Sequence, residues 1–187
     1  MMIRYLLALL LLAAGCRRTE VAHYQVKKSA GPSALAVAGM PGPATVLTST
    51  LTWTLPKGWT ETRAEGVRYA TLKPAAPGKV DVSVVVLPGP AGGELANVNR
   101  WRGQIGLAAI DERTLLKARS SVKSPAGAVS VYDFTSDGDG KSRLLAAILV
   151  SEESTWFIKM LGDENPVASA RGAFLHHLGS LRFDAAN

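Results

Sequence analysis

The chain of 187 residues contains a single cysteine, Cys16. A lone thiol cannot form an internal disulfide, so a folded domain in this chain needs a hydrophobic core rather than covalent cross-links. Cys16 follows a ten-residue apolar run at residues 5–14, and Arg4 precedes that run. A helix that crosses a bilayer needs about 20 apolar residues. The charged start, the short apolar run and the small residues after it therefore predict a secretory signal peptide.

The residues before the cysteine, Leu12-Ala13-Ala14-Gly15, resemble the lipobox of bacterial lipoproteins. In that class the signal peptide is cut before the cysteine, and the thiol receives acyl chains such as palmitate. Ala13 departs from the pattern, because leucine is most usual at its position. The resemblance implies a signal peptide at residues 1–15 and a lipid anchor at Cys16. An ordinary signal peptide with a cysteine near its cut, or an uncleaved membrane anchor, remains as an alternative.

Residues 16–45 predict a lipidated tether, because glycine, proline and small residues dominate their second half. The globular domain is expected at residues 46–187. Cleavage removes Arg4 and lowers the net charge from +6 to +5. The basic residues are scattered, which suits solubility and loose contact with anionic lipid or cell-wall polymer and argues against nucleic-acid binding.

The clearest strand is "VDVSVVVLPG", in which Val80, Val82, Val84 and Val86 share one face by the two-residue period. The unbroken apolar run at residues 144–150 predicts a central strand covered on both faces. Further strands are expected in "LTWTLPKGWT", "VRYATLKP", "TLLKARSSV", "AVSVYDFTS", "STWFIKML" and "SLRF". The four tryptophans lie in these periodic segments or in a helix, and we expect them in the core.

A helix is expected from Glu94 to Ala108. At 100° per residue its apolar stripe comprises Leu95, Val98, Ile105 and Ala109, with Trp101 at the edge. Its solvent side comprises Asn97, Arg100 and Gln104. Arg102 lies within the stripe, so either its stem packs while its head reaches water, or it pairs with a carboxylate.

A second helix is expected to begin with Asn165 as N-cap and Pro166 at the first helical position. Its apolar stripe comprises Val167, Ala170, Phe174 and Leu178. His176 points away from this stripe and His177 sits at its rim. Adjacent helical side chains diverge by about 100°, so the two imidazoles do not converge on a metal, and no metal site is predicted.

The element order predicts an α+β fold, an antiparallel β-sheet covered by helices. Together with "TWTLPKGWT", "NVNRWRGQIGL" and "FLHHLGSLRF", that order resembles the PsbP-like superfamily, which has an α/β/α sandwich and includes DcrB-like lipoproteins. The chain is also similar to lipoproteins of planctomycete and verrucomicrobial type with a "GG-LANVNRWR-Q-GL" helix. Members of the superfamily are mostly non-catalytic accessory or binding domains, so the resemblance implies no catalytic residues and no cofactor.

The segment "DGDGKS" at residues 137–142 invites two ligand-site interpretations that fail on spacing. A phosphate-binding P-loop needs a glycine five residues before Gly140, where Thr135 stands. An EF-hand beginning at Asp133 needs a glutamate at Leu144. Asp-Gly chemistry favours a β-hairpin turn.

Three functional hypotheses follow. The first is a lipid-anchored, non-enzymatic binding or scaffold domain of the bacterial cell envelope, whose partner is an envelope protein or cell-wall polymer that contacts Asn97, Arg100 and Gln104. The second is a binder of a small anionic ligand, which would use the backbone amides at Gly92 and Gly93 before the helix, together with Arg102 or Arg100. The third is an envelope enzyme, for which the residues nominate no catalytic group.

Arg17 follows the cysteine, whereas aspartate at that position retains lipoproteins in the inner membrane of enteric bacteria. By that resemblance, we expect the periplasmic face of the outer membrane rather than the inner membrane.

Overall fold

A computed structural model of the protein describes residues 49–64, 66–75 and 78–185. The strands are β1 (Ser49–Thr52), β2 (Thr60–Arg63), β3 (Arg68–Lys73), β4 (Val80–Pro88), β5 (Ser120–Ser124), β6 (Gly127–Thr135), β7 (Ser142–Val150), β8 (Ser154–Asp163) and β9 (Arg182–Ala185). The helices are α1 (Glu94–Gln104), α2 (Glu112–Ala118) and α3 (Glu164–Gly179). The predicted signal peptide at 1–15, Cys16 and the tether at 16–45 lie outside the described residues.

Seven strands form one sheet in the order β2-β3-β4-β8-β7-β6-β5, and every neighbouring pair is antiparallel. β1 and β9 pair with each other in a separate two-stranded sheet. The predicted fold class, α+β with an antiparallel sheet covered by helices, is confirmed.

The large sheet has an apolar core on each face. On one face the β4 residues Val82 and Val84 belong to the same buried cluster as Phe174 of α3. On the other face Tyr132 and Phe157 belong to a cluster with Trp101 of α1. Residues 144–149 of β7 are all buried, which confirms the prediction of a central strand covered on both sides.

α1 ends at Gln104, four residues before the predicted end. Gly106 has a φ of +75°, in the left-handed region that glycine adopts without steric cost, and the Leu107 amide donates to the Arg102 carbonyl. The chain therefore leaves the helix here. Ala109 is exposed beyond the helix and is not part of its apolar stripe.

The prediction of a strand over "TLLKARSSV" is wrong in its first half, which forms α2. The Asp111 side chain accepts a hydrogen bond from the Thr114 amide at 2.8 Å and caps the helix. The strand β5 begins only at Ser120. A short helix with one buried residue, Leu115, has too weak a period to be separated from a strand by pattern alone.

α3 begins at Glu164, with Asp163 as its N-cap, rather than at Pro166 after Asn165. β8 continues to Asp163, and the Glu164 amide donates to the Lys141 carbonyl, so strand and helix join without a loop. The four predicted stripe residues of α3 are all buried, and the final strand is present as β9.

The four tryptophans are buried, as predicted. His176 is exposed, also as predicted. His177 lies at the rim of the apolar stripe of α3, yet its side chain is fully buried. The turn between β6 and β7 confirms the hairpin interpretation of residues 137–142.

Candidate functional site

The chain enters α1 through a left-handed loop. Ala91, Gly92 and Gly93 have φ values of 47°, 83° and 82°. The Asn97 side-chain amide holds this loop by donating to the Ala91 carbonyl at 2.9 Å and to the Gly93 carbonyl at 2.6 Å. The expectation that Asn97 lies on the solvent side is wrong, since only 4% of the residue is exposed. Its role at the helix start is to fix the loop.

A carboxylate occupies the first turn of α1, where the sequence predicted an anion site. Glu94 accepts hydrogen bonds from the Tyr132 hydroxyl and from the Arg119 guanidinium. Arg119 also donates to the Tyr132 hydroxyl at 3.2 Å. Burial, followed by the hydrogen bond to Glu94, raises the pKa of Tyr132 to about 12. Because Glu94 already complements the positive end of the helix, a second anion there would meet like charge.

Arg102 does not join Gly92 and Gly93. It lies at the other end of α1, nine residues or about 14 Å along the helix axis from Gly93. Its Nε donates to the Ala108 carbonyl at 2.8 Å, and its guanidinium lies 4.8 Å from the centre of the Phe134 ring. The structure therefore corrects the predicted grouping of Gly92, Gly93 and Arg102, and Arg102 has no carboxylate partner among the described residues.

The other two residues of the predicted interaction surface, Arg100 and Gln104, are exposed on α1. Arg100 donates through Nη2 to Asn97 Oδ1 at 2.7 Å, so the buried asparagine orients the exposed arginine. Gln104 Oε1 accepts a hydrogen bond from Lys159 Nζ at 2.7 Å. Gln104 thus joins α1 to β8, whereas Arg100 is held within the helix.

Lys159 lies in β8, opposite Ser83 of β4, which in turn lies opposite Thr71 of β3. These three residues form a polar row across β8, β4 and β3 beside α1, in which Ser83 is buried. The Arg68 side chain ends at this row, donating through Nε to Thr71 Oγ1 at 2.8 Å. Its Nη2 donates to Asp81 at 2.7 Å.

We call Arg68, Arg100 and Lys159 the basic surface. Partial burial lowers the pKa of Lys159, and the nearby charges of Arg100 and Arg68 lower it further, while Asp81 opposes this effect. Within the described part of the chain, neither Arg100 nor Lys159 forms an ion pair with a carboxylate. An incoming anion would therefore relieve the repulsion among these cations.

Sequence reasoning missed Lys159 and Arg68, because they lie on separate strands far from α1 in the chain. One signal was present: Lys159 is the only charged residue in the apolar strand segment "STWFIKML". A lysine there has to snorkel or find polar partners, so it marks the place where the sheet face is polar.

Residues 49–64, 66–75 and 78–185 contain no group of three or more histidine, cysteine, aspartate or glutamate side chains able to hold a metal ion. Over the same residues, no helix is long and apolar enough to cross a membrane.

No family model matches the chain, and no curated protein matches it. Among solved structures, a Bacteroides thetaiotaomicron protein is 12% identical with a TM-score of 0.44, and the match covers 73% of this chain but only 45% of that one. LpqN, involved in cell envelope biogenesis of Mycobacterium tuberculosis, is 12% identical with a TM-score of 0.44, covering 72% and 83% of the two chains. The cyanobacterial PsbP of Synechocystis is 12% identical with a TM-score of 0.43, covering 80% and 99%.

Proposed function

We propose that this protein is a lipid-anchored, non-enzymatic binding domain of the bacterial cell envelope, and that it engages an acidic partner protein through the basic surface. The observation behind this proposal is the convergence of Arg100, Lys159 and Arg68 beside α1, where Lys159 bonds to Gln104 and Arg68 bonds to Thr71. Complementary charge at such a surface speeds association and selects the partner.

The envelope assignment is supported by the sequence. The lipobox-like residues before Cys16 would yield a lipidated mature chain. Two or three acyl chains hold a protein on a membrane durably, whereas one chain binds marginally. With Arg17 after the cysteine, we propose the periplasmic face of the outer membrane as the location.

Binding rather than catalysis is supported by the state of the polar groups around α1. Asn97 bonds to backbone carbonyls and to Arg100, and Glu94 bonds to Tyr132 and Arg119. These contacts fix the helix and its loop in position, so the same groups serve the structure of the domain.

A protein partner suits the basic surface better than a uniformly anionic polymer. Asp81 and Gln104 place a carboxylate and an amide among the cations. A protein surface can present a complementary pattern of charges, donors and acceptors. A polymer with a regular negative charge would instead meet repulsion at Asp81. The small-anion hypothesis at Gly92 and Gly93 loses support, because Glu94 stands at that helix start.

The experiment is in-cell photo-cross-linking from position 96, an exposed alanine one turn before Arg100 on α1. We expect one dominant cross-linked protein for the otherwise natural chain. The double variant Arg100→Gln, Lys159→Gln should reduce that product roughly tenfold, which corresponds to about 1.4 kcal/mol of binding free energy.

The matched control is Arg113→Gln, which removes an exposed arginine from α2 and should leave the product unchanged. A product that survives the double variant would show that the basic surface does not bind the partner. Cross-linking to cell-wall polymer in place of a protein would contradict the proposed partner class.

A further inference from the structure

A small cavity of about 200 Å³ lies between the first turn of α1 and the adjoining ends of β6, β7 and β8. Its lining residues are Pro90, Gly93, Glu94, Asn97, Ser130, Ile148, Val150, Thr155 and Phe157. Phe157 and Ile148 are each only 5% exposed and supply an apolar floor, whereas Val150 at the rim is 65% exposed. The cavity is separate from the basic surface.

The polar groups of the cavity differ in what they can offer a ligand. Asn97 donates both of its amide hydrogens to backbone carbonyls, and Thr155 donates to the Gly89 carbonyl at 2.6 Å. The Ser130 hydroxyl makes no hydrogen bond with any residue in the described part of the chain. Glu94 accepts one hydrogen bond at each carboxylate oxygen, which leaves each oxygen able to accept another.

From this arrangement we infer that the cavity binds a planar aromatic group with one hydrogen-bond donor, such as an indole or a phenol. The apolar floor receives the ring, and Ser130 or Glu94 accepts the N–H or O–H hydrogen. The charge of Glu94 is balanced by Arg119, so a neutral donor fits the cavity better than a cation.

The size of the cavity supports a single ring system. Pockets for drug-sized ligands measure about 300–1,000 Å³, so this one is too small for such a molecule. Indole and phenol combine an apolar body with a donor at one edge, and such groups find a hydrogen-bond partner when they are buried. Another hollow, between residues 138–141 and the start of α3, is wider at about 670 Å³ and is lined largely by exposed residues, so it would bury a ring less completely.

The test uses indole and indene as probes, because indene has the same shape and lacks the N–H. Binding is followed by NMR of the isoleucine, leucine and valine methyl groups in the whole chain. We expect saturable shifts at Ile148 and Val150, with indole bound about 2- to 10-fold more tightly than indene, as the gain of one hydrogen bond implies. Leu116, an exposed leucine on α2, is the internal control and should not shift.

Two variants sharpen the test. Ser130→Ala should narrow the difference between indole and indene while leaving the fold intact, and Ser130→Ile should fill the cavity and abolish binding of both probes. Equal shifts at Leu116 and Ile148, or no saturable shift at Ile148, would overturn the inference. Unchanged indole binding in both variants would also overturn it.

A third probe, N-acetyl-tryptophanamide, distinguishes the two sources of such a ring. If both this probe and indole bind in separate titrations, a tryptophan side chain of a polypeptide is identified as an occupant. Binding of indole alone identifies a free aromatic molecule. Both results support the cavity's chemistry.

Discussion

His177 is a titratable side chain enclosed by aromatic rings. Its ring centre lies 5.5 Å from that of Trp53, in an edge contact, and 6.4 Å from that of Trp59, in a stacked one. Nδ1 lies 3.3 Å from the Thr54 carbonyl, and Nε2 is buried with no hydrogen-bond partner among the described residues. The nearby carboxylate, Glu61, accepts from Trp53 Nε1 at 2.9 Å and also pairs with an arginine, Arg63. The site therefore favours the neutral imidazole.

Burial lowers the pKa of His177 below its ordinary value of 6.5. The unfolded chain binds this proton at a higher pH than the folded chain does. The contribution of His177 to stability is thus complete above about pH 6.5 and is lost as the pH falls from there through the folded-state pKa. As the pH falls below 6.5, we expect the titration of His177 to lower the free energy of unfolding by at most about 1.4 kcal/mol per pH unit.

The measurement is urea unfolding between pH 5 and pH 8, followed by tryptophan fluorescence. His177→Phe keeps an aromatic ring and removes the titration, so its slope below pH 6.5 should be smaller than that of the natural chain. His176→Gln, at the exposed neighbouring position, should keep the natural slope. Equal slopes in the natural chain and His177→Phe would rule out His177 as the source.

The helical period could predict the buried stripe of α3 but not the environment of His177. Residue 177 lies at the edge of that stripe, and its burial depends on Trp53 and Trp59, which come from more than 100 residues earlier in the chain. The sequence pattern of one helix contains no information about which side chains from distant parts of the chain will pack over it. The same limit applies to Lys159, whose partner Gln104 lies on another element.

At the scale of elements, side-chain hydrogen bonds to backbone groups join α1 to the loops on either side of it. Asn99 makes a reciprocal pair with Ile110, donating to its carbonyl at 3.0 Å and accepting from its amide at 2.8 Å. Asn97 holds the loop before the helix, and Arg102 holds the Ala108 carbonyl. These bonds show that several polar side chains of "NVNRWR" stabilise the helix and its loops.

Asn99→Ala should therefore destabilise the domain by about 1–3 kcal/mol, because it leaves two half-buried backbone groups of Ile110 without partners. Amide hydrogen exchange should rise first over residues 107–111. Asn165→Ala is the matched control, since Asn165 is exposed and its side chain makes no hydrogen bond within the described residues. Unchanged exchange over 107–111 in Asn99→Ala would show that the pair does not hold the loop.

The strands were predictable where one face is buried, and the helices less so. The alternation in β4 is typical of a strand with one apolar face, and the continuous apolar run in β7 is typical of a strand covered on both faces. α2 was missed because its pattern extends over only seven residues, and its clearest signal is the cap at Asp111. A cap-first interpretation of "IDERTLLKA" would have found it.

At the scale of the whole molecule, the position of the basic surface follows from the topology of the sheet. β4 lies beside β8, whereas the next strand in the chain, β5, lies at the far edge beyond β7 and β6. The connection through α1 and α2 therefore crosses β8, β7 and β6, and covers that half of the face. Thr71 of β3 and Ser83 of β4 lie next to that covered half and continue the polar row from Lys159 of β8. No pattern within a single segment encodes which strands become neighbours.

The proposed anchor makes a prediction about the whole chain in the cell. Cys16→Ser should abolish incorporation of labelled palmitate and move the protein from the membrane fraction to the soluble periplasmic fraction, because the remaining domain would have only weak electrostatic contact with lipid. Salt extraction separates the two modes of attachment, since charge contacts weaken at high ionic strength and acyl chains do not release. The natural chain should resist the salt wash.

Arg17→Gln is the control for charge at the same place, and it should keep both the label and the membrane retention. The anchor would be contradicted if the natural chain carried no palmitate label and if it and Cys16→Ser were retained equally in the membrane fraction. Because the cross-linking test probes Arg100 and Lys159 in the folded domain, failure of the cross-linking test leaves the palmitate test informative, and the reverse also holds. A labelled protein with no partner at the basic surface would be a lipoprotein with a different binding face. An unlabelled protein that still cross-links would bind its partner without the lipid.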